Sequence, residues 1–169
     1  MIRTGIGYDV HRLVAGRPLV LGGVAIEHAL GLDGHSDADV LAHAVCDALL
    51  GAAAAGDIGQ HFPDTDARWR GADSLDLLAD VVRLLRERGV SVVNVDATVL
   101  AEAPRLSPHV AAMRERLSDT MGVDLSAVSV KATTTEGLGA IGRCEGIGAL
   151  AVATVDSSEP VPNTNGSGQ

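Results

Sequence analysis

Asp9 and His11 stand two residues apart in the run Gly7-Tyr8-Asp9-Val10-His11-Arg12, a stretch that reads as a β-strand. Side chains repeat every second residue along a strand, so this carboxylate and this imidazole leave the same face. Together they offer one oxygen and one nitrogen to a divalent metal. A third protein ligand would complete an open zinc-type site, with one position left for water or substrate. His43 is a candidate for that ligand. It lies in a helical stretch four residues after Asp39, with Val40 and Leu41 on the apolar side. Two imidazoles and a carboxylate suit zinc, and Asp37 and Asp39 are at hand as acceptors for the ring N–H groups. A histidine on a half-apolar helix is more often a hydrogen-bonded structural residue, and spacing alone does not bring positions 9 and 43 together.

The elements that must position these groups follow from periodicity and punctuation. Residues 2–9 read as a first strand. Leu19–Leu21 and Val24–Ile26 read as a hairpin across Gly22-Gly23. Ser36 is the expected N-cap of a helix reaching to about residue 55, with Asp39 as its capping-box partner. Residues 56–72 hold Gly, Pro and Asp with little apolar periodicity and read as a long loop, a feature that is usually functional or mobile. A helix from residue 73 or 74 to 88 stops at Gly89. Residues 90–101 form the clearest strand, with Val93 out of step. Ser107 and Pro108 mark the start of a helix that ends at Gly122. Residues 128–132 and 147–155 complete the strands. A domain over 1–155 and a disordered tail over 156–169 are expected.

Composition narrows the function classes. The chain has 169 residues, enough for one domain, and 46% of them are hydrophobic. Tyr8, Phe62 and Trp69 are its only aromatic residues, so Ala, Val and Leu must build the core. A net charge of −9 argues against a nucleic-acid surface. It leaves room for a small phosphorylated ligand, provided metal ions, backbone N–H groups and a few arginines compensate locally. Cys46 and Cys144 form no C-x-x-C pattern, and a reducing cytoplasm is the expected setting. The sequence has no signal-like segment and no apolar run of about 18 residues, so no membrane span is expected.

Further motifs appear in order: Gly34-His35-Ser36-Asp37-Ala38-Asp39, Gly56-Asp57-Ile58-Gly59, Phe62-Pro63-Asp64-Thr65-Asp66, Lys131-Ala132-Thr133-Thr134-Thr135-Glu136 and Gly142-Arg143-Cys144-Glu145-Gly146. With Asp9-Val10-His11 before them, the chain resembles the 2-C-methyl-D-erythritol 2,4-cyclodiphosphate synthase family of non-mevalonate isoprenoid synthesis. The resemblance implies a homotrimer of α/β subunits around a sheet-lined axis, with active sites between adjacent subunits. It implies one zinc ion per subunit on Asp9, His11 and His43, and magnesium or manganese at Glu136. His35 and Thr134 would position phosphates. Ser36, Asp57, Ile58, Gly59, Phe62, Pro63, Asp64, Thr65 and Asp66 would contact the methylerythritol phosphate. Ala101, Glu102, Ala103, Pro104, Arg105, Leu106 and Ser107 would line the cytidine site with Ala132, Thr133 and Thr134, and Thr135 offers a further hydroxyl. Arg143 would face a phosphate. Ala140, where the family often carries an aromatic residue, would lie with Tyr8 and Glu145 by an axial cavity able to hold isoprenoid diphosphates. Arg105 stands where lysine is common.

The implied reaction is an internal phosphoryl transfer. The 2-phosphate of 4-diphosphocytidyl-2-C-methyl-D-erythritol 2-phosphate attacks the β-phosphorus, and CMP leaves. The nucleophile is already an anion, so positioning and charge neutralisation matter more than a base. Two other readings use the same residues. One is a zinc phosphohydrolase that activates water. The other is a non-catalytic trimer that binds isoprenoid diphosphates around a structural zinc.

Overall fold

The computed structural model describes residues 1–157. Its first strand, β1 (Ile2–Ala15), runs well past Asp9. Gly7, Asp9 and His11 turn inward while Tyr8, Val10 and Arg12 are exposed, as period-2 geometry requires. β2 (Leu19–Leu21) and β3 (Val24–Ile26) pair antiparallel. Their Gly22-Gly23 turn has φ of 58° and 72°, values that glycine adopts without strain. A three-residue β4 (Leu30–Leu32) pairs with the end of β1. It is too short to leave a periodic signal, and the sequence reading missed it.

Then follow α1 (Val40–Ala52), α2 (Ile58–His61), α3 (Ser74–Glu87), β5 (Val90–Leu100), α4 (Val110–Met121), β6 (Val128–Thr133), α5 (Gly139–Gly142) and β7 (Gly146–Ser157). The main sheet has the order β4-β1-β7-β5-β6, with β5 and β6 parallel and its other pairs antiparallel. This mixed sheet with helices packed on it is the expected α/β class.

Close approach of α1 to the sheet explains the alanine-rich composition. A Cβ on Gly7 would lie 2.0 Å from the Ala44 carbonyl oxygen, and one on Gly5 2.2 Å from that of Ala48. Neither strand position accepts a side chain. Ala44, Ala48, Ala149, Ala151 and Ala153 are buried where α1, β1 and β7 meet. The small residues bring helix and strand backbones together, and His43 comes to Asp9 as a consequence.

The other face of the sheet is apolar and open. Ile6 is 70% exposed, Val152 45% and Leu150 39%, with Tyr8 and Val10 beside them. Ile6 and Val152 are direct cross-strand partners.

Several expectations are corrected. The N-cap of α1 is Asp39, and the helix ends at Ala52, short of residue 55. Asp39 is fully buried and accepts the N–H groups of Leu41 and Ala42, as well as those of Gly22 and Gly23 in the hairpin turn. Its oxygens are thereby used on backbone donors, and it does not serve the histidine rings. α4 starts at Val110 with His109 as N-cap, not at Pro108. Ser107 instead accepts a hydrogen bond from Arg105 Nε at 3.0 Å. Residues 56–72 contain α2 and a 3-10 turn (Ala67–Trp69), each begun by an aspartate cap. Val93 sits at a register shift in β5. β7 continues through Asp156 and Ser157, two residues into the expected tail. Residues 158–169 of that tail lie outside the described residues. Among the described residues no helix is long and apolar enough to cross a membrane.

Candidate metal and phosphate site

Asp9 Oδ2 lies 2.9 Å from His11 Nε2 and 3.0 Å from His43 Nδ1. The two ring nitrogens are 3.3 Å apart. An ion with four tetrahedral bonds of about 2.0–2.1 Å holds its ligand atoms about 3.3 Å from one another. The triangle therefore fits such an ion and leaves a fourth position. It is the one His/Cys/Asp/Glu cluster of this kind among the described residues.

The far side of each ring supports the assignment. His11 Nδ1 is 2.6 Å from the Asp33 carbonyl oxygen, which can only accept. Nδ1 therefore carries the hydrogen, and the Nε2 lone pair is free for a metal. His43 turns Nε2 away from the triangle, 2.9 Å from Ser74 Oγ and 3.2 Å from Ser36 Oγ. Asp37 reaches His43 only through Ser74, whose hydroxyl it accepts.

Electrostatics follow the geometry. Burial opposes the charge on Asp9, yet without a metal, and with a second hydrogen on each ring, bonds from His11 and His43 outweigh it and hold the carboxyl well below its usual range. Burial likewise works to lower the His11 pKa, and the bond and charge of Asp9 overcome it, so the net shift is upward.

A cavity of about 270 Å³ opens beside the triangle. His11, His43, His35 and Ser36 line it from one side, and Ile58, Gly59, Phe62 and Asp64 line it from the 56–72 segment. Asp57 caps α2 through the N–H of Gln60, and Asp66 caps the 3-10 turn and pairs with Arg68. Neither these two aspartates nor Pro63 and Thr65 line the cavity.

Five contributors escaped the sequence reading. Trp69 and Leu77 line the cavity, with Trp69 edge-on to Phe62 at 5.0 Å between ring centres. Arg17 spans two carbonyl oxygens, those of Gly34 and Ser36, each at 2.6 Å, and so holds the His35 segment. Asp47 accepts the Ile58 N–H at 2.8 Å and anchors the start of α2. Ser74 lies behind His43. The pairing of Phe62 with Trp69, two of the three aromatic residues, was the one signal available for any of these.

The remaining expected residues form a second group. Asp9 pairs with Ala149, Ala149 with Val99, and Val99 with Ala132, all in one row across the sheet. Three strand spacings separate the first from the last, about 14 Å. Ala101 donates its N–H to the Thr133 carbonyl at 3.0 Å, so residues 101–107 and 132–136 share that far edge. Glu102 Oε1 accepts the N–H of Thr135 at 2.8 Å and that of Gly137 at 3.2 Å, which hold its carboxyl below the usual range. Thr134 Oγ1 donates to Glu136 Oε1 at 3.1 Å. Arg143 pairs with Glu145 at 2.7 Å, and Ala140 lies exposed in α5. None of these residues lines the cavity beside the metal triangle. Within one chain the two groups are not brought together.

The chain is similar to known proteins over most of its length. A model of the YgbB family matches residues 2–156. A 2-C-methyl-D-erythritol 2,4-cyclodiphosphate synthase from Desulfosudis oleivorans is 61% identical over 158 residues, covering 94% of each chain. A solved synthase in its CDP-bound form superposes with a TM-score of 0.84 at 40% identity, covering 91% of this chain and all of that one. The bifunctional IspDF from Campylobacter jejuni gives a TM-score of 0.89 at 45% identity. It covers 92% of this chain, which spans 42% of that longer protein.

Proposed function

Since the chain belongs to the YgbB family, we propose that it acts as its named relatives do, as a 2-C-methyl-D-erythritol 2,4-cyclodiphosphate synthase. It converts 4-diphosphocytidyl-2-C-methyl-D-erythritol 2-phosphate to the cyclic diphosphate and CMP, as a phosphorus–oxygen lyase of the cytoplasm. The observation that carries the proposal is the Asp9/His11/His43 triangle opening on a cavity lined by His35, Ser36, Ile58, Gly59, Phe62 and Asp64.

Chemistry assigns the parts. The attacking phosphate oxygen is already anionic, so the chain must align two phosphates and offset their repulsion. Asp9 Oδ2, His11 Nε2 and His43 Nδ1 would hold zinc, which supplies Lewis-acid polarisation of a phosphate oxygen when bound. Glu136 would hold magnesium or manganese. His35 and Ser36, on the segment clamped by Arg17, offer donors to phosphate oxygens. Asp64 is placed to accept hydrogen bonds from the methylerythritol hydroxyls. Phe62, Trp69, Leu77 and Ile58 give the cavity an apolar wall that keeps water from the phosphorus, and so suppresses hydrolysis. Thr134, beside Glu136, is a donor for the diphosphate. Residues 101–107 with 132–135 would take the cytidine, in line with the CDP complexes of related solved structures.

The catalytic unit would be a homotrimer. The metal triangle lies toward one edge of the sheet and Thr134 with Glu136 toward the other, so a head-to-tail ring of copies unites them at each interface. The same ring would cover Ile6, Tyr8, Val10, Leu150 and Val152. An isoprenoid diphosphate on the axis would meet Arg143, Glu145 and the small Ala140.

The test is turnover of the cytidyl substrate with zinc and magnesium, followed by phosphorus NMR. Equal amounts of cyclic diphosphate and CMP are expected. A linear hydrolysis product without the cyclic one would make the protein a phosphohydrolase. Binding of an isoprenoid diphosphate without turnover would make it a binding trimer.

A further inference from the structure

We propose that Ser74, the first residue of α3, is a positioning residue for the metal ligand His43, and that Asp37 gives it that role. The inference rests on the metal site proposed above and concerns how that site is held.

The hydrogens around Ser74 can be counted. Ser74 Oγ lies in hydrogen-bond contact with an Asp37 carboxylate oxygen. An ionised carboxylate accepts and does not donate, so the single hydroxyl hydrogen of Ser74 goes to Asp37. Ser74 Oγ is then left with lone pairs. His43 Nε2, 2.9 Å away, must supply the hydrogen between them. A neutral imidazole that carries its hydrogen on Nε2 has its lone pair on Nδ1, and Nδ1 is the atom that faces Asp9 and His11. The chain Asp37–Ser74–His43 therefore selects the ring form that a metal needs, and it fixes the ring's rotation.

Ser36 is the weaker partner. Its Oγ is 3.2 Å from the same Nε2, and it already accepts the Ala38 N–H at 3.1 Å. It has no carboxylate behind it, and since the Ser74 hydrogen is committed to Asp37, the Ser36 hydroxyl is the donor in its own longer contact with Ser74 Oγ at 3.4 Å.

The support is rigid. Ser74 has no solvent-exposed surface, and its own N–H is held by the second Asp37 oxygen at 3.2 Å. Asp37 also accepts the Asp39 N–H, one residue before α1 begins. Nearby, the Gly71 N–H bonds to the His35 carbonyl at 2.8 Å, and the Asp37 N–H to the Ala72 carbonyl at 3.0 Å. The cavity loop thus ends on the same scaffold that orients His43.

Zinc affinity of the full-length protein, measured by chelator competition, tests the proposal. Ser74→Ala is expected to bind zinc about 10–100-fold more weakly than the parent. Ser74→Thr keeps the hydroxyl and is expected within about threefold of the parent. Asp37→Asn weakens zinc as well, and the Ser74→Ala/Asp37→Asn double variant is expected to lose no more than Ser74→Ala, because both act through one chain. Metal-free melting temperatures separate this from general destabilisation: a loss of affinity that Thr restores is not a loss of fold. Parent-like affinity in Ser74→Ala, equal losses in the Ala and Thr variants, or losses that multiply in the double variant would overturn the proposal. A parent protein that takes up no zinc would overturn the metal reading beneath it, and the two failures are distinguishable.

Discussion

The two edges of the sheet are built differently. At the β1 edge, a strand, a helix and a capped segment converge, and every atom of the proposed metal triangle comes from one chain. Each ring there has a partner on its far side: the Asp33 carbonyl for His11 and Ser74 for His43. At the β6 edge, Thr134 bonds to Glu136 in an exposed turn, and Thr135 bonds to Glu102 on the neighbouring segment. The first region is a finished site. The second lies about 14 Å across the sheet and lines no part of the cavity beside the triangle. On the proposed reading, catalysis would need an edge-to-edge assembly of copies, while metal binding would not.

Breaking the assembly should divide the two properties most sharply. Ile6→Glu with Val152→Glu places charges on adjacent positions of the open apolar face. The double variant should sediment as a monomer, hold zinc like the parent, and lose activity by about 10³-fold or more. A monomer with parent-like turnover would end the split-site reading.

Single-edge variants come next. His43→Ala should lose both zinc content and turnover, the latter by about 10³-fold. Glu136→Gln should cost about 10²-fold in turnover while zinc content, read by elemental analysis, stays unchanged. If Glu136→Gln lowered zinc content, the two edges would not be independent.

The smallest effect is a pH dependence confined to the β1 edge. The raised His11 pKa gives the metal-free fold a contribution that is complete below its unfolded value of about 6.5 and is lost as pH rises through the folded one. The depressed Asp9 pKa contributes above about 3.9 and is lost only as pH falls toward its folded value. Melting of the metal-free protein should therefore fall by a few degrees from about pH 6 to pH 8. Zinc affinity should rise over the same window, since a bound ring must give up its proton. A flat melting profile would contradict the His11 assignment.

Much of the β1 edge was legible in the sequence. Alternation placed Asp9 and His11 on one face, and the order of motifs supplied His43. What the sequence left open was convergence, and the reason is Gly5 and Gly7: without their bare backbones α1 could not approach closely enough to bring His43 in. The capping of α1 was misread because Ser36 and Asp39 both suit a cap, and only the hairpin donors at Gly22 and Gly23 show why Asp39 is buried there. Ser74 was invisible, because its partners Asp37 and His43 are each more than thirty residues away. At the β6 edge the residues were legible and their separation from the metal was not. Strand order, a long-range property, decides it.

Complementation between inactive variants tests the split site most directly. His43→Ala spoils only the metal edge, and Glu136→Gln only the far edge. If each site joins the metal edge of one subunit to the far edge of its neighbour, co-assembly in equal amounts restores both intact edges at about a quarter of the interfaces. Activity near a quarter of the parent's is expected from the mixed trimers. Activity no higher than that of the two variants measured alone would contradict a site shared between subunits.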